Sequence, residues 1–324
     1  MTYRKKVKFL SAVIMCLTLI YVLSFVFDQS RRQDRAFAWL DTNLHHLADR
    51  IEITGPDGST TVLIRRHNVW VLGAFGNEFP VRQQRVQDLF AALSRRDTYT
   101  LRSTSLEARH NLGLSIGDAS RILVRGGLGL PLLDLLIGIA SPVGRELYMA
   151  RADEREIYSG EDRFTIFTDS GPLFWLDFRL FGENRPGFPG LIETPVEISM
   201  VQQAAVFFAP AGEEAFSYTL IRSGGGWLLQ GDENAGLINP RVEAWLRSVL
   251  EAEADDFAAR EPEYFEGQIT LWLGDGTTRT VNLGPPEEGA PSYRSAVVPG
   301  SPLVHILSQG TISRLFRDSS DFLR

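Results

Sequence analysis

Three short stretches hold residue types whose spacing could support chemistry. Gly113-Leu114-Ser115-Ile116-Gly117 matches G-x-S-x-G, the pattern in which a strained strand-to-helix turn raises a nucleophilic serine. Here a polar or helical stretch precedes the motif and the β-rich residues 122–125 follow it, which is the wrong context for that elbow. The downstream histidine, His305, sits in an apolar stretch of the other half of the chain. A hydrolase acting through Ser115 is therefore the outlying reading, and a loop shaped by glycines is the expected one.

Glu107 and His110 have the i, i+3 spacing of half a metal site, but no second such pair exists in the sequence. His45 and His46 are adjacent and point about 100° apart on a helix, so one face cannot use both. His67 is isolated. Gly126-Gly127-Leu128-Gly129 lacks the lysine and following hydroxyl of a phosphate-binding loop, and Pro131 interrupts any helix beginning there. No catalytic residue, cofactor site or metal site is assigned on these grounds.

The acidic run Glu251, Glu253, Asp255 and Asp256 continues through Glu261, Glu263 and Glu266. It lies at and beyond the end of a helical pattern, where negative charge opposes the helix dipole. The glycine-centred loop of a calcium site is missing. This reads as a solvated acidic surface and a candidate interaction surface. Arg95, Arg96, Arg102 and Arg109 in the first half carry the opposite sign. The two halves, or neighbouring copies in a homo-oligomer, could face each other through these charges.

The chain that must position these residues has 324 residues, 33 Lys+Arg, 40 Asp+Glu and a net charge of −7. That length suits about two domains. The acidic balance gives no support to nucleic-acid binding, and the lone Cys16 excludes a disulfide framework.

The lysines are confined to Lys5, Lys6 and Lys8, followed by residues 9–27 without a charge. As a helix this stretch spans about 28 Å, close to the hydrocarbon thickness of a bilayer. An uncleaved signal anchor fits best. A cleaved signal peptide would have a shorter apolar core and a nearer small-x-small site than Ala36-Phe37-Ala38. A lipoprotein signal ending at Cys16 is poorly served by Met15. The basic cluster favours an N-terminus inside and the bulk of the chain outside. Residues 1–28 thus read as cytoplasmic tail and anchor.

Beyond the anchor, Phe37, Leu40, Leu44 and Leu47 make one helical stripe, so residues 29–50 are expected to be a juxtamembrane helix. The period then changes. Ile51-x-Ile53, the turn at Gly55-Pro56-Asp57-Gly58 and residues 61–64 read as a hairpin. Residues 63–72 (LIRRHNVWVL) match residues 220–229 (LIRSGGGWLL) at five of ten positions in register. Both read as strand, tight turn, strand, with Trp70 and Trp227 opening the second strand. An amphipathic helix follows each. Val86, Leu89, Phe90 and Leu93 form one apolar face, and Val242, Trp245, Leu246, Val249 and Leu250 the other. Asn239-Pro240 is an N-cap with proline at the first helical position. Further antiparallel strands follow in both halves.

The expected class is α+β: a transmembrane helix, then two similar units at 51–181 and 197–324, joined by a Pro/Gly-rich linker at 182–196. Each unit is expected to pack one amphipathic helix against a mainly antiparallel sheet.

Several of these segments carry a resemblance. They are Ile51-x-Ile53, the Leu63…Trp70 turn, the Val86…Leu93 helix, Asn111-Leu112-Gly113-Leu114, and Ile137-Gly138…Tyr148…Ile157-Tyr158. Over residues 9–324 the chain resembles a bacterial family of membrane-anchored proteins of unknown function with a duplicated extracytoplasmic domain. Members of that family often accompany auxiliary ABC-type export components of the gliding-motility kind. The resemblance implies a single-pass protein of the cytoplasmic membrane near a transporter, and carries over no catalytic residue. From the sequence, two functions compete: a non-enzymatic scaffold, and a ligand-capture module using a cleft between the two repeats.

Overall fold

The computed structural model describes residues 34–74, 77–141, 146–185, 188–212, 214–232, 235–258 and 260–323, together with Ile14, Met15, Leu17 and Thr18. Most of the expected membrane span, residues 9–27, lies outside the described residues. Among the described residues no helix is long and apolar enough to cross a membrane. The chain is α+β, with two large antiparallel sheets and few helices, and it divides into units Met1–Leu176 and Asp177–Arg324.

The first unit contains β1 (Asp34–Phe37), β2 (Ala48–Thr54), β3 (Thr60–Arg66), β4 (Val69–Ala74) and β5 (Asn77–Pro80). Helix α1 (Gln83–Ser94), β6 (Asp97–Ser103) and the short α2 (Leu106–Asn111) come next. Strands β7 (Ser120–Gly126), β8 (Pro131–Ala140), β9 (Glu146–Arg151) and β10 (Ile157–Glu161) and the single turn α3 (Thr165–Thr168) complete it. The sheet order is β1-β6-β10-β9-β8-β7-β2-β3-β4-β5.

The second unit opens with a two-stranded ribbon, β11 (Glu183–Arg185) and β12 (Phe188–Thr194). It continues with β13 (Val201–Phe208), β14 (Phe216–Ser223), β15 (Gly226–Leu229) and α4 (Asn239–Leu250). Then come β16 (Asp256–Ala258), β17 (Gly267–Leu273), β18 (Thr278–Glu287), β19 (Ala290–Val297), β20 (Val304–Ser308) and α5 (Gln309–Leu315). Its main sheet runs β15-β14-β13-β17-β18-β19-β20-β16.

Read from the opposite edge, this is the order β6-β10-β9-β8-β7-β2-β3-β4 of the first unit. The pairing register agrees along most of the sheet, although the first unit has bulges at Val124/Arg125 and Ile157/Tyr158 where the second runs regularly. Arg65 faces Trp70 and Arg222 faces Trp227. Ile137 faces Met149 and Leu283 faces Ala296. Tyr158 pairs with both Met149 and Leu101, just as His305 pairs with Ala296 and Phe257.

The amphipathic helices form where the apolar spacing places them. Val86, Leu89, Phe90 and Leu93 are buried on α1, and Val242, Trp245, Leu246 and Val249 on α4. Each such side chain contributes roughly 1.5–3 kcal/mol by leaving water. In each unit one side-chain amide ties helix to sheet. Gln83 accepts from the Trp70 N–H (2.9 Å) and donates to the Trp70 carbonyl (2.8 Å). Asn239 accepts from the Trp227 N–H at 2.6 Å. An arginine also recurs. Arg65 donates to the carbonyls of His46 and Ala48, and Arg222 to those of Ile198 and Val201, each time at the start of the first strand.

Five expectations need correction. Residues 34–50 are not a helix. β1 pairs with β6, and a 3-10 turn at Thr42–Leu47 leads into β2. The helical stripe misleads because Trp39 and Leu40, adjacent in sequence, are both buried in an extended segment that packs on aromatic neighbours. The linker region is not merely irregular, since β11 and β12 form a ribbon, and the second unit begins at Asp177. Asn239 is the first helical residue, with Ile238 at the N-cap, because its amide is taken by Trp227. Finally, β4 and β15 open one residue before their tryptophans, and each unit has short helices besides its amphipathic one.

Candidate functional site

The leading segment of each unit, residues 36–44 in the first and 179–182 in the second, lines a cavity. Phe37 pairs with Asp97 in the first unit, and Arg179 pairs with Glu253 in the second. Asp97 and Glu253 each lie four residues before the equivalent residues Leu101 and Phe257. The register therefore equates Phe37 with Arg179 and Trp39 with Phe181. It likewise equates Leu133 with Arg279 and Tyr158 with His305.

In the second unit the cavity measures about 420 Å³. Residues of four segments line it: Arg179, Leu180 and Gly182 of the leading segment, Thr278 to Thr280 at the start of β18, Val298, Pro299 and Ser301 after β19, and His305 on β20. Among the described residues, none of those lining it is acidic. Asp177, 2% exposed, holds Arg179 in a two-point ion pair of 2.8 and 2.5 Å, which raises the guanidinium pKa further. Arg279 donates to the carbonyl of Gly182 at 2.9 Å and to that of Thr278 at 2.8 Å. Both guanidinium groups are thus fixed by their own unit.

His305 is 3% exposed, and its Nδ1 has no hydrogen-bond partner. Burial pushes its pKa down to about 4, against an opposing pull from Asp177, so the ring is neutral at pH 7. A buried polar atom without a partner costs about 1–3 kcal/mol.

The matching cavity of the first unit measures about 580 Å³ and has a different wall. Phe37, Trp39, Leu44 and Leu132 line it, with Arg96 and Arg151. Phe37 and Trp39 belong to an aromatic box with Tyr99 and Tyr158, at centroid distances of 4.8–6.0 Å. Arg151 donates to the Trp39 carbonyl, and Arg35 binds the Tyr158 hydroxyl at 3.1 Å.

The residues singled out from sequence fall elsewhere. Trp70, Trp227, Val86, Leu89, Phe90, Val242, Trp245 and Leu246 are all core residues. Glu251, Glu253 and Asp255 alternate with buried Ala252 and Ala254 along an extended segment. Asp255 accepts from the Ser308 N–H and Asp256 from the Phe257 N–H, while Glu251 caps α4 through its backbone. Of the basic residues set against them, Arg102 pairs with Glu146 and Arg109 holds the carbonyls of Arg151 and Glu154, all within the first unit.

Ser115 lies in the turn between α2 and β7, so no strand-to-helix elbow forms. Its hydroxyl does meet an imidazole, that of the exposed upstream His110, at 3.2 Å. Gly126 to Gly129 form a 3-10 turn with Leu128 fully exposed at φ 61°. Among the described residues no group of three or more metal-ligating side chains converges.

The cavity residues share no sequence motif: Arg179 and Gly182 lie beside or within the expected linker, and His305 stands alone in an apolar strand. No protein family matches this chain, and no curated protein or solved structure is similar to it.

Proposed function

We propose that this chain is a non-enzymatic scaffold, anchored in the cytoplasmic membrane by residues 9–27. It would present two copies of one α+β unit to an ABC-type transport or other envelope complex. The observation that carries this reading is the shared strand order, with the same tryptophan-to-helix tie in both units. Repetition supports it because a repeated unit multiplies a surface without needing a reaction centre. The uncharged stretch behind a basic cluster supports the anchor.

The test is a pull-down of the full chain from detergent-solubilised bacterial membranes. Recovery of a permease, an ATPase subunit or another envelope protein in fixed ratio is expected. Recovery of none, or finding the full chain in the soluble fraction, overturns the reading. A second reading, ligand capture, is favoured by one observation: the polar cavity of the second unit.

A further inference from the structure

We propose that the tip of the β7–β8 hairpin, residues 127–131, dips into the surface of the bilayer that residues 9–27 cross. This rests on the anchor reading above, and adds that the first unit itself touches lipid. Gly127-Leu128-Gly129-Leu130-Pro131 is exposed at every residue and carries no charge. Leu128 is 103% exposed and Leu130 64%. Leu47, 45% exposed, neighbours the base of the tip. Ala48 pairs with Gly126, and the Leu47 carbonyl oxygen lies 3.0 Å from where a Cβ on Gly126 would stand. Exposed apolar side chains gathered in one patch mark a binding surface, whereas scattered single ones do not.

Hydrogen bonds shape the tip. The Gly126 N–H donates to the Leu130 carbonyl at 2.8 Å, and Arg125 Nη1 donates to the Gly129 carbonyl at 3.2 Å. Between these bonds Leu128 stands at φ 61°, a left-handed conformation that glycine adopts freely and leucine does not. The second unit closes the equivalent hairpin differently, through Gly274-Asp275-Gly276-Thr277. There Asp275 accepts from the Thr277 N–H (2.9 Å) and hydroxyl (2.7 Å), and a glycine, Gly276, takes the positive φ of 83°. The same turn is thus polar in the later unit and apolar in the unit that follows the anchor directly.

The occupant follows from the chain's own path. From Phe27, the end of the uncharged stretch, to Asp34, the first residue of β1, is at most about 25 Å of extended chain. The segment that follows, residues 36–44, lines one cavity with Leu132, which stands just beyond Leu130. An anchored chain therefore holds a bilayer within reach of this end of the first unit. The composition of the tip also suits lipid better than protein. Protein interfaces centre on aromatic residues and arginine, and this tip offers leucine, glycine and proline. Exposed apolar side chains enter the boundary of headgroups and acyl chains in proportion to the area they bury.

The test places a nitroxide label at position 128 (Leu128→Cys in a Cys16→Ser chain) and reconstitutes the full chain in vesicles of phosphatidylethanolamine and phosphatidylglycerol. A second chain carries the label through Thr277→Cys instead. Collision with oxygen, which concentrates in lipid, and with a water-soluble nickel chelate is measured at each position. Oxygen should dominate at position 128 and the chelate at position 277. Leu130→Asp should raise chelate access at position 128 roughly twofold or more, with flotation and melting temperature unchanged. The proposal is overturned if the two positions meet the chelate equally, or if position 128 is shielded from both reagents, which would identify a protein occupant. A chain that floats with the vesicles but keeps a wet tip refutes the insertion and leaves the anchor standing. A chain that does not float overturns both.

Discussion

The two units place different chemistry at equivalent points of one sheet. Position by position, Phe37, Trp39, Tyr99 and Tyr158 of the first unit become Arg179, Phe181, Asp255 and His305 of the second. The exchanges compensate one another locally. Tyr99 fits because it lies over Gly160, where an added Cβ would sit 2.4 Å from the tyrosine ring. The second unit has the larger Leu307 at that point and Asp255 in place of the tyrosine. Below the sheet, Ala119 and Leu147 of the first unit are apolar and buried, whereas Glu266 and Arg294 stand there in the second as a buried ion pair. Strand order and helix ties thus tolerate either apolar or polar content. The first unit fills the shared positions with apolar and aromatic side chains, and the second places Arg179, Asp255, Glu266 and Arg294 at several of them.

The largest effect expected from breaking this comparison is at the buried pair. Arg294→Leu, which copies the first unit at one position only, leaves Glu266 without its partner and should cost about 3–5 kcal/mol. Copying both positions, Glu266→Ala with Arg294→Leu, should recover most of that loss. Denaturant unfolding of the second unit's transition measures both. If the double variant is as unstable as the single one, the two units do not share this register.

The next effect concerns pH. His305 has a folded pKa of about 4 against an ordinary value of 6.5. The unfolded chain therefore binds more protons between these values, so stability rises with pH across that window and falls as pH drops from about 6.5 to 4. By linkage the contribution is roughly 2–4 kcal/mol. His305→Tyr, the residue of the first unit, should flatten the pH profile of unfolding over this range. A profile unchanged by the substitution would contradict the buried neutral ring.

Two glycines sharpen the comparison. Gly138 and Gly284 are equivalent, and each lies under a crossing segment. A Cβ would stand 2.1 Å from the Leu112 carbonyl oxygen at the first and 2.6 Å from Pro262 at the second. Alanine at either should cost about 1–3 kcal/mol by overpacking, and more at Gly138, where the obstacle is backbone. Melting curves of the two variants rank them. The smallest effect belongs to the helix ties. Gln83→Ala and Asn239→Ala should each lose about 1 kcal/mol. Gln83→Ala should lose the more, because that amide holds both backbone groups of its tryptophan.

Much of this fold is legible in local sequence. The match of residues 63–72 with 220–229 predicts the observed register, because strand alternation and a two-residue turn are local properties. The same is true of α1 and α4, whose apolar faces repeat every three to four residues. The leading strand of the first unit is not legible, since Phe37, Leu40, Leu44 and Leu47 satisfy a helical stripe while tertiary packing holds the segment extended. The cavity is harder still. It joins Arg179 to Thr278 and His305, contacts far apart in sequence that only sheet order creates. Charge patterning pointed to Glu251, Glu253, Asp255 and Asp256, whose side chains and backbone mostly serve the local chain. Most of the span at residues 9–27 lies outside the described residues, and the anchor stands on its sequence alone.

Denaturant unfolding of Arg294→Leu beside the double variant Glu266→Ala with Arg294→Leu tests the central claim most directly. That claim is one fold used twice with different side chains at equivalent positions. The account predicts that the double variant recovers most of the stability that the single one loses. A double variant as unstable as the single one would contradict it.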